Sequence, residues 1–239
     1  MNLKDYQRGR NDGLALALKI VQEGGREALE AEIKNRGVTG GELIMNYNNY
    51  NESKETVLQL LPAEEVILQF AEECVELSRE ILVFDVEADG RLLSNGTEYK
   101  MLSKVREEAA DVELVADVLL DKIYAAYDRR ILGSMVGSIL IVVKGLGLIH
   151  IRKVLHEVCH DLAKAALKLR RARSGENSTP ITEEEAKEML LCHISMIMAL
   201  DTILFKNEER EQMEKIKEMK MERWAERLRG ETADGNGIQ

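Results

Sequence analysis

Apolar residues recur along most of this chain every three to four positions, the spacing of an α-helix with one buried face. Val66, Ile67, Phe70, Cys74, Leu77 and Ile81 form one such stripe, and Pro62 stands where a proline is favoured, at the first turn of a helix. A second helix, from about Glu98, carries Val105, Val112, Val115, Leu119 and Ile123. A third is predicted over about Leu148 to Arg171. Thr182 with Glu185 forms a capping box that opens a fourth, bearing Met189, Leu190, Ile194, Ile197, Met198, Leu204 and Phe205. Residues 1–40 read as two short helices separated by Gly24-Gly25, residues 45–53 (MNYNNYNES) as a polar loop, and residues 85–97 and 174–180 as connecting loops. Residues 207–229 read as a highly charged helix, and 231–239 as a frayed tail.

Two of these segments align without a gap. Residues 70–84, FAEECVELSREILVF, match residues 155–169, LHEVCHDLAKAALKL, so that Phe70 meets Leu155, Cys74 meets Cys159, Leu77 meets Leu162 and Leu82 meets Leu167. Each is followed by a loop and a further apolar helix. The expected architecture is therefore all-α, with a helical hairpin unit written twice. The expected divisions are a helical module at 1–44, a first copy at 54–132, a second at 133–206, and a charged helix and tail at 207–239.

Composition narrows the function. Two prolines and ten aromatic residues in 239 argue against an all-β chain, which needs many turns. The 33 Lys and Arg against 43 Asp and Glu leave a net charge of −10, a poor surface for nucleic acid, whose phosphates are bound by cations. Three cysteines with no CxxC pair favour neither a disulfide framework nor structural zinc, and they fit a reducing cytoplasm. The first residues, MNLKDYQRGRNDG, lack the apolar core of a signal peptide. Ile131 to Ile151 is apolar enough to imitate a membrane span. However, Lys144 inside it would cost roughly 2.5–3.5 kcal/mol in lipid, so a buried helix broken near Gly145 and Gly147 is the expectation.

Charge also sits where apolar residues are expected. Glu73 and Glu76 on one helix, and Glu108 and Asp111 on the next, are each one turn apart and share the apolar stripe. Four acids drawn inward need cations or protons to compensate them. An all-oxygen cage selects Mg²⁺, or Mn²⁺, over zinc, and Mg²⁺ is typically shared with substrate phosphates.

The pairing of EExxE with ExxD on consecutive helices, in AEECVEL (71–77) and EEAADVEL (107–114), resembles the MazG-like, all-α nucleoside triphosphate pyrophosphohydrolases. KMERWAER (220–227) is similar to the KxxRxxxR ending of some small members. The resemblance implies a tandem of four-helix-bundle units forming a pseudo-dimer, and hydrolysis of a nucleoside triphosphate, usually a deoxynucleotide, to monophosphate and pyrophosphate. It implies Glu73, Glu76, Glu108 and Asp111 as Mg²⁺ ligands and Glu72 or Glu80 as the residue orienting the attacking water. Lys100, Lys104, Arg106, Lys220, Arg223 and Arg227 are the candidate phosphate contacts. The partner expected is the nucleotide, with a homo-oligomer compatible and neither nucleic acid nor membrane.

The second copy departs from the pattern. Val158 stands at the Glu73 position and Asp161 at that of Glu76. Glu188 is the one acid near the Glu108 position, and the Asp111 position falls among Leu191, Cys192 and His193. One active site per chain is expected, with a nucleotide-sequestering protein as the alternative. A third reading comes from His156-Glu157-Val158-Cys159-His160, which spells HExxH, the zinc metalloprotease signature, with Glu183, Glu184 or Glu185 as a third ligand.

Overall fold

In the computed structural model, residues 40–88, 95–124, 129–175 and 181–235 are described. They form seven helices and no strand: α1 (Gly40–Leu60), α2 (Ala63–Ala88), α3 (Asn95–Ile123), α4 (Arg129–Val143), α5 (Leu148–Ser174), α6 (Glu183–Leu204) and α7 (Asn207–Gly235). The two short helices expected before residue 40 lie outside the described residues. Contacts along the chain separate residues 1–51 from 52–239, and everything from α2 to α7 belongs to the second unit.

Local chemistry sets the helix ends. Pro62 cannot extend α1; its carbonyl instead accepts from Glu65 and Val66 to open α2, whose first turn carries Glu64 and Glu65 at the positive end of the helix dipole. Gly175, at φ +73°, ends α5 in the left-handed region that a side chain would resist. The capping box is complete at α6: Thr182 accepts from the Glu185 amide at 3.2 Å, and the Glu185 carboxylate accepts from the Thr182 amide at 2.9 Å. After α6, the Lys206 amide donates to Glu209 and starts α7.

Helices α2, α3, α6 and α5 close a ring. α2 packs on both α3 and α5, α5 on α6, and α3 touches α6. α2 and α5 run antiparallel, since Glu64 pairs with Arg173, Ser78 with His156 and Asp85 with Arg152. The α2 and α3 stripes predicted from spacing are buried throughout, and Leu155, Leu162, Leu169, Leu190 and Ile194 complete the core from α5 and α6. Each such side chain contributes about 1.5–3 kcal/mol on burial. The outer helices pack crosswise: α4, which follows the first hairpin, lies on α6 of the second, and α7, which follows the second, lies on α3 of the first. Exchanging the two hairpins leaves this pattern of contacts unchanged.

Several expectations need correction. Residues 45–53 are not a loop but the middle of α1. The end of that helix is tied down by tertiary contacts, with buried Lys54 pairing Asp117 and Asp121 of α3. The helix of the first acid pair runs on to Ala88, and the next begins at Asn95, so the intervening loop is shorter than 85–97. α7 continues to Gly235 and absorbs the first part of the expected tail. The apolar 131–151 segment does break where its glycines fall, but apart from its last residue, Ile151, it is not buried. α4 rests on α6 along one side only, and Ile141 and Val142 are 72% and 78% exposed. No helix among the described residues is long and apolar enough to cross a membrane.

One buried group works against the core. Asp201 of α6 is fully enclosed, and neither carboxyl oxygen has a hydrogen-bond partner. Burial, and then the negative charge of Glu113, push it well above the usual carboxylate range, against the opposing charges of Arg210 and Lys217. Glu113 is held by Lys217 at 2.9 Å through Oε2 only, its buried Oε1 lacking a hydrogen-bond partner with Arg210 3.6 Å away. An orphaned buried polar group costs about 1–3 kcal/mol, so Asp201→Leu is expected to raise the unfolding free energy by about that amount in urea denaturation at neutral pH. A loss of stability would mean that Asp201 serves the network around Arg210 and Lys217.

Candidate metal and nucleotide site

Glu73 of α2 and Asp111 of α3 line a cleft of about 590 Å³, within the range of small-ligand sites, and Glu108 lies beside them without lining it. One carboxylate oxygen from each of Glu73, Glu108 and Asp111 lies within 4.8 Å of the others. Glu76, one turn beyond Glu73, lines the same cleft but is exposed rather than inward. The opposite wall is α7, laid on α3, which contributes Lys220, Arg223, Trp224, Glu226 and Arg227. Their spacing of three and four places all but Glu226 along one face of that helix.

The electrostatics are those of a cage lacking positive charge. Burial, followed by the charges of Asp111 and Glu76, raises Glu73 to about 7, against a partial offset from its hydrogen bond with Gln69. Glu108 is raised by burial and then by Asp111 and Glu76. Asp111 is also raised by burial, although the Lys220 ammonium bonds it directly and pulls the other way. Burial would lower Lys220 itself, but the Asp111 carboxylate outweighs that and holds it above its ordinary range. Three crowded oxygen donors whose negative charge is penalised in this way suit a hard divalent cation.

The sign of the pH effect follows from Glu73. Its folded value lies above the ordinary one, so the stability tied to its proton is complete below about 4.5 and is lost as the pH rises through about 7. A cation must displace that proton in acid but not in base. Apparent Mg²⁺ affinity is therefore expected to rise by about tenfold per pH unit up to about 7 and then level off. Correspondingly, Mg²⁺ should raise the melting temperature more at about pH 8 than at about pH 6, which thermal denaturation with and without the ion measures directly.

Of the other residues singled out from the sequence, Lys220, Arg223 and Arg227 are in the cleft, and neither arginine is held in an ion pair among the described residues. Lys100 and Lys104 are exposed and do not line the cleft. Arg106 is buried against Ser103, to which it donates at 3.1 Å. Glu72 is exposed, Glu80 is held by Arg79 at 3.0 Å, and neither lines the cleft. The spacing argument missed Gln69, one turn before Glu73, and Trp224, one turn after Lys220. A four-residue step from a named candidate was the available signal in both cases.

The HExxH segment is arranged differently. His156 and His160 lie 5.9 Å apart between ring centroids, and His156 Nδ1 is engaged by the Ser78 hydroxyl at 2.8 Å. The suggested third ligands are committed elsewhere: Glu185 to the α6 cap, Glu183 to Arg173 and Lys187, and Glu184 to Lys187 at 3.5 Å. Among the described residues no third His, Cys, Asp or Glu joins the two histidines. At the second-copy counterpart of the acid site, Val158 is buried and Asp161 is exposed, paired with Lys164 at 3.1 Å.

Compared with protein-family models, curated proteins and solved structures, the chain matches none. Its described residues form an all-α bundle with a carboxylate cluster beside a basic helix face.

Proposed function

We propose that the chain is a Mg²⁺-dependent nucleoside triphosphate pyrophosphohydrolase, a tandem of two MazG-like hairpin units folded as an internal pseudo-dimer with one working site. The observation that carries the reading is the meeting of two unlike sets of side chains in one cleft, Glu73 and Asp111, with Glu108 clustered beside them, and Lys220, Arg223 and Arg227 from α7. Carboxylates alone would repel a polyphosphate, and cations alone would bind any anion. Together they suit a triphosphate carried with its cation.

Glu73, Glu108 and Asp111, with Glu76 at the rim, would hold Mg²⁺, which when bound neutralises phosphate oxygens and acidifies water. The chain's own residues do the rest. Arg223 and Arg227 take the outer phosphates, for which planar guanidinium groups are suited. Trp224 and the Leu114 and Val115 side chains give the cleft an apolar wall. Water attacks the α-phosphorus; the new O–P bond forms as the bond to the bridging oxygen of the β-phosphate breaks, and pyrophosphate leaves. The proton passes to a carboxylate of the cleft. With Glu72 and Glu80 outside it, Glu76 and Glu226 are the exposed lining acids able to take that part.

The repeat supports the tandem reading. Cys74 and Cys159, aligned in sequence, are both fully buried where α2 meets α5, and Cys159 is close enough to add to the upward push on the Cys74 thiol. Equivalent residues face one another in this way at a two-fold axis. The half whose acids are missing places α4, rich in glycine and aliphatic residues, where the first half has α7.

The test is a panel of ribo- and deoxynucleoside triphosphates with Mg²⁺. The expected products are equal amounts of pyrophosphate and monophosphate. Tight binding without turnover would instead favour a sequestering protein.

A further inference from the structure

Two imidazoles on one face of α5 take no part in the proposed reaction. His156 and His160 are one turn apart, with ring centroids 5.9 Å from each other and planes inclined by 39°. We infer that they form an open two-histidine site for a late first-row divalent ion (Ni²⁺, Cu²⁺ or Zn²⁺), separate from the carboxylate cage.

The contact with α2 decides which nitrogen His156 offers. Its Nδ1 lies 3.2 Å from the Ser78 carbonyl oxygen and 2.8 Å from the Ser78 hydroxyl. A carbonyl only accepts, so a bare Nδ1 would set lone pair against lone pair. Nδ1 therefore carries the proton and donates to Ser78, and Nε2 keeps its lone pair for a ligand. A metal-binding histidine is commonly oriented in this way, by an acceptor at its other nitrogen. Ser78 is 4% exposed, which shields the anchor from water, whereas His160 stands exposed with room to turn.

Distance permits a shared ion. With the metal about 2.0–2.1 Å from each nitrogen, each ring centre lies about 3.2 Å from it, so two rings can share one ion at separations up to about 6.4 Å. The observed 5.9 Å is inside that limit. Packing does not require the rings, because Ala71 and Val75 stand at the corresponding positions of α2, one buried and one exposed. Donor type sets the ion: imidazole nitrogen suits Ni²⁺, Cu²⁺ and Zn²⁺, whereas Mg²⁺ takes oxygen. Among the described residues no third His, Cys, Asp or Glu joins the pair, so water completes the coordination and the site differs from that of a zinc protease, which uses three protein ligands.

Calorimetric titration of the full chain with Ni²⁺, in excess Mg²⁺ to occupy the cage, tests this alongside imidazole ¹H–¹⁵N spectra of the four histidines. His156 is expected as the Nδ1–H tautomer before metal is added. One Ni²⁺ is expected to bind and to broaden His156 and His160 more strongly than His150 or His193. His160→Gln is expected to keep the metal-free melting temperature while Ni²⁺ affinity falls by about a hundredfold or more. His156→Gln carries the same expectation for affinity; if it fails to fold, the exposed His160 variant decides. An Nε2–H tautomer at His156, no binding at millimolar Ni²⁺, broadening centred on His150 or His193, or undiminished binding by folded His160→Gln would each overturn the inference.

Discussion

Asp111→Ala and Glu73→Ala are each expected to lower kcat by roughly a hundred- to a thousandfold, because losing one donor removes several kcal/mol of charge stabilisation and each 1.36 kcal/mol is a factor of ten. The two variants differ in a useful way. Glu73→Ala deletes the cage acid that burial, and then Asp111 and Glu76, raise to about 7, so the cation-free protein should become more stable at about pH 8 even as activity is lost. Asp111→Ala also frees Lys220, leaving that ammonium without its direct carboxylate partner in the cleft. Steady-state kinetics paired with thermal melts at two pH values separate the losses. A variant that retains near-wild-type turnover would remove its residue from the cage.

Lys220→Met is expected to change metal binding and turnover in opposite directions. Lys220 Nζ bonds Asp111 and lies 3.7 Å from Glu107, so a cation entering the cage competes with an ammonium already there. A charge-assisted hydrogen bond is worth about 1.5–3 kcal/mol, so its removal should tighten Mn²⁺ binding to the nucleotide-free protein by about tenfold or more. Once a nucleotide is bound, the displaced ammonium is positioned for its phosphates, and kcat/KM for the variant should fall by about ten- to a hundredfold. Calorimetric titration with Mn²⁺ alone reads the first effect independently of activity. Equal Mn²⁺ affinity in both proteins would show that Lys220 does not guard the cage.

The buried stripes were legible from residue spacing because a helix with one wet face must repeat apolar positions every three to four residues, and α2 and α3 do so without interruption. The α6 cap was legible for a similarly local reason, since Thr182 and Glu185 satisfy each other's backbone. The misreadings came where distant residues decide. Asn- and Ser-rich 45–53 is helical in a segment whose end is held by Lys54, reaching acids more than sixty residues away. Hydrophobicity alone could not say that α4 would find a partner on one side only. The candidate site divided along the same line. The acid pairs followed from spacing within single helices. The cleft's membership depended on which face α7 lays on α3, which brings Trp224 and Arg227 in and leaves Lys100 and Lys104 outside. Glu76 shared the inward reading of Glu73 yet is exposed, because a three-residue step turns it about 60° further from the buried line of Phe70, Leu77 and Ile81.

The central claim is that water attacks the α-phosphorus of a nucleoside triphosphate held between the cage and α7. Hydrolysis in ¹⁸O-labelled water with Mg²⁺, followed by mass spectrometry of the products, tests it most directly. The predicted result is pyrophosphate free of label and a monophosphate carrying one labelled oxygen, with both products absent in Asp111→Ala. Label in pyrophosphate, release of orthophosphate alone, or no turnover across the nucleotide panel would contradict it.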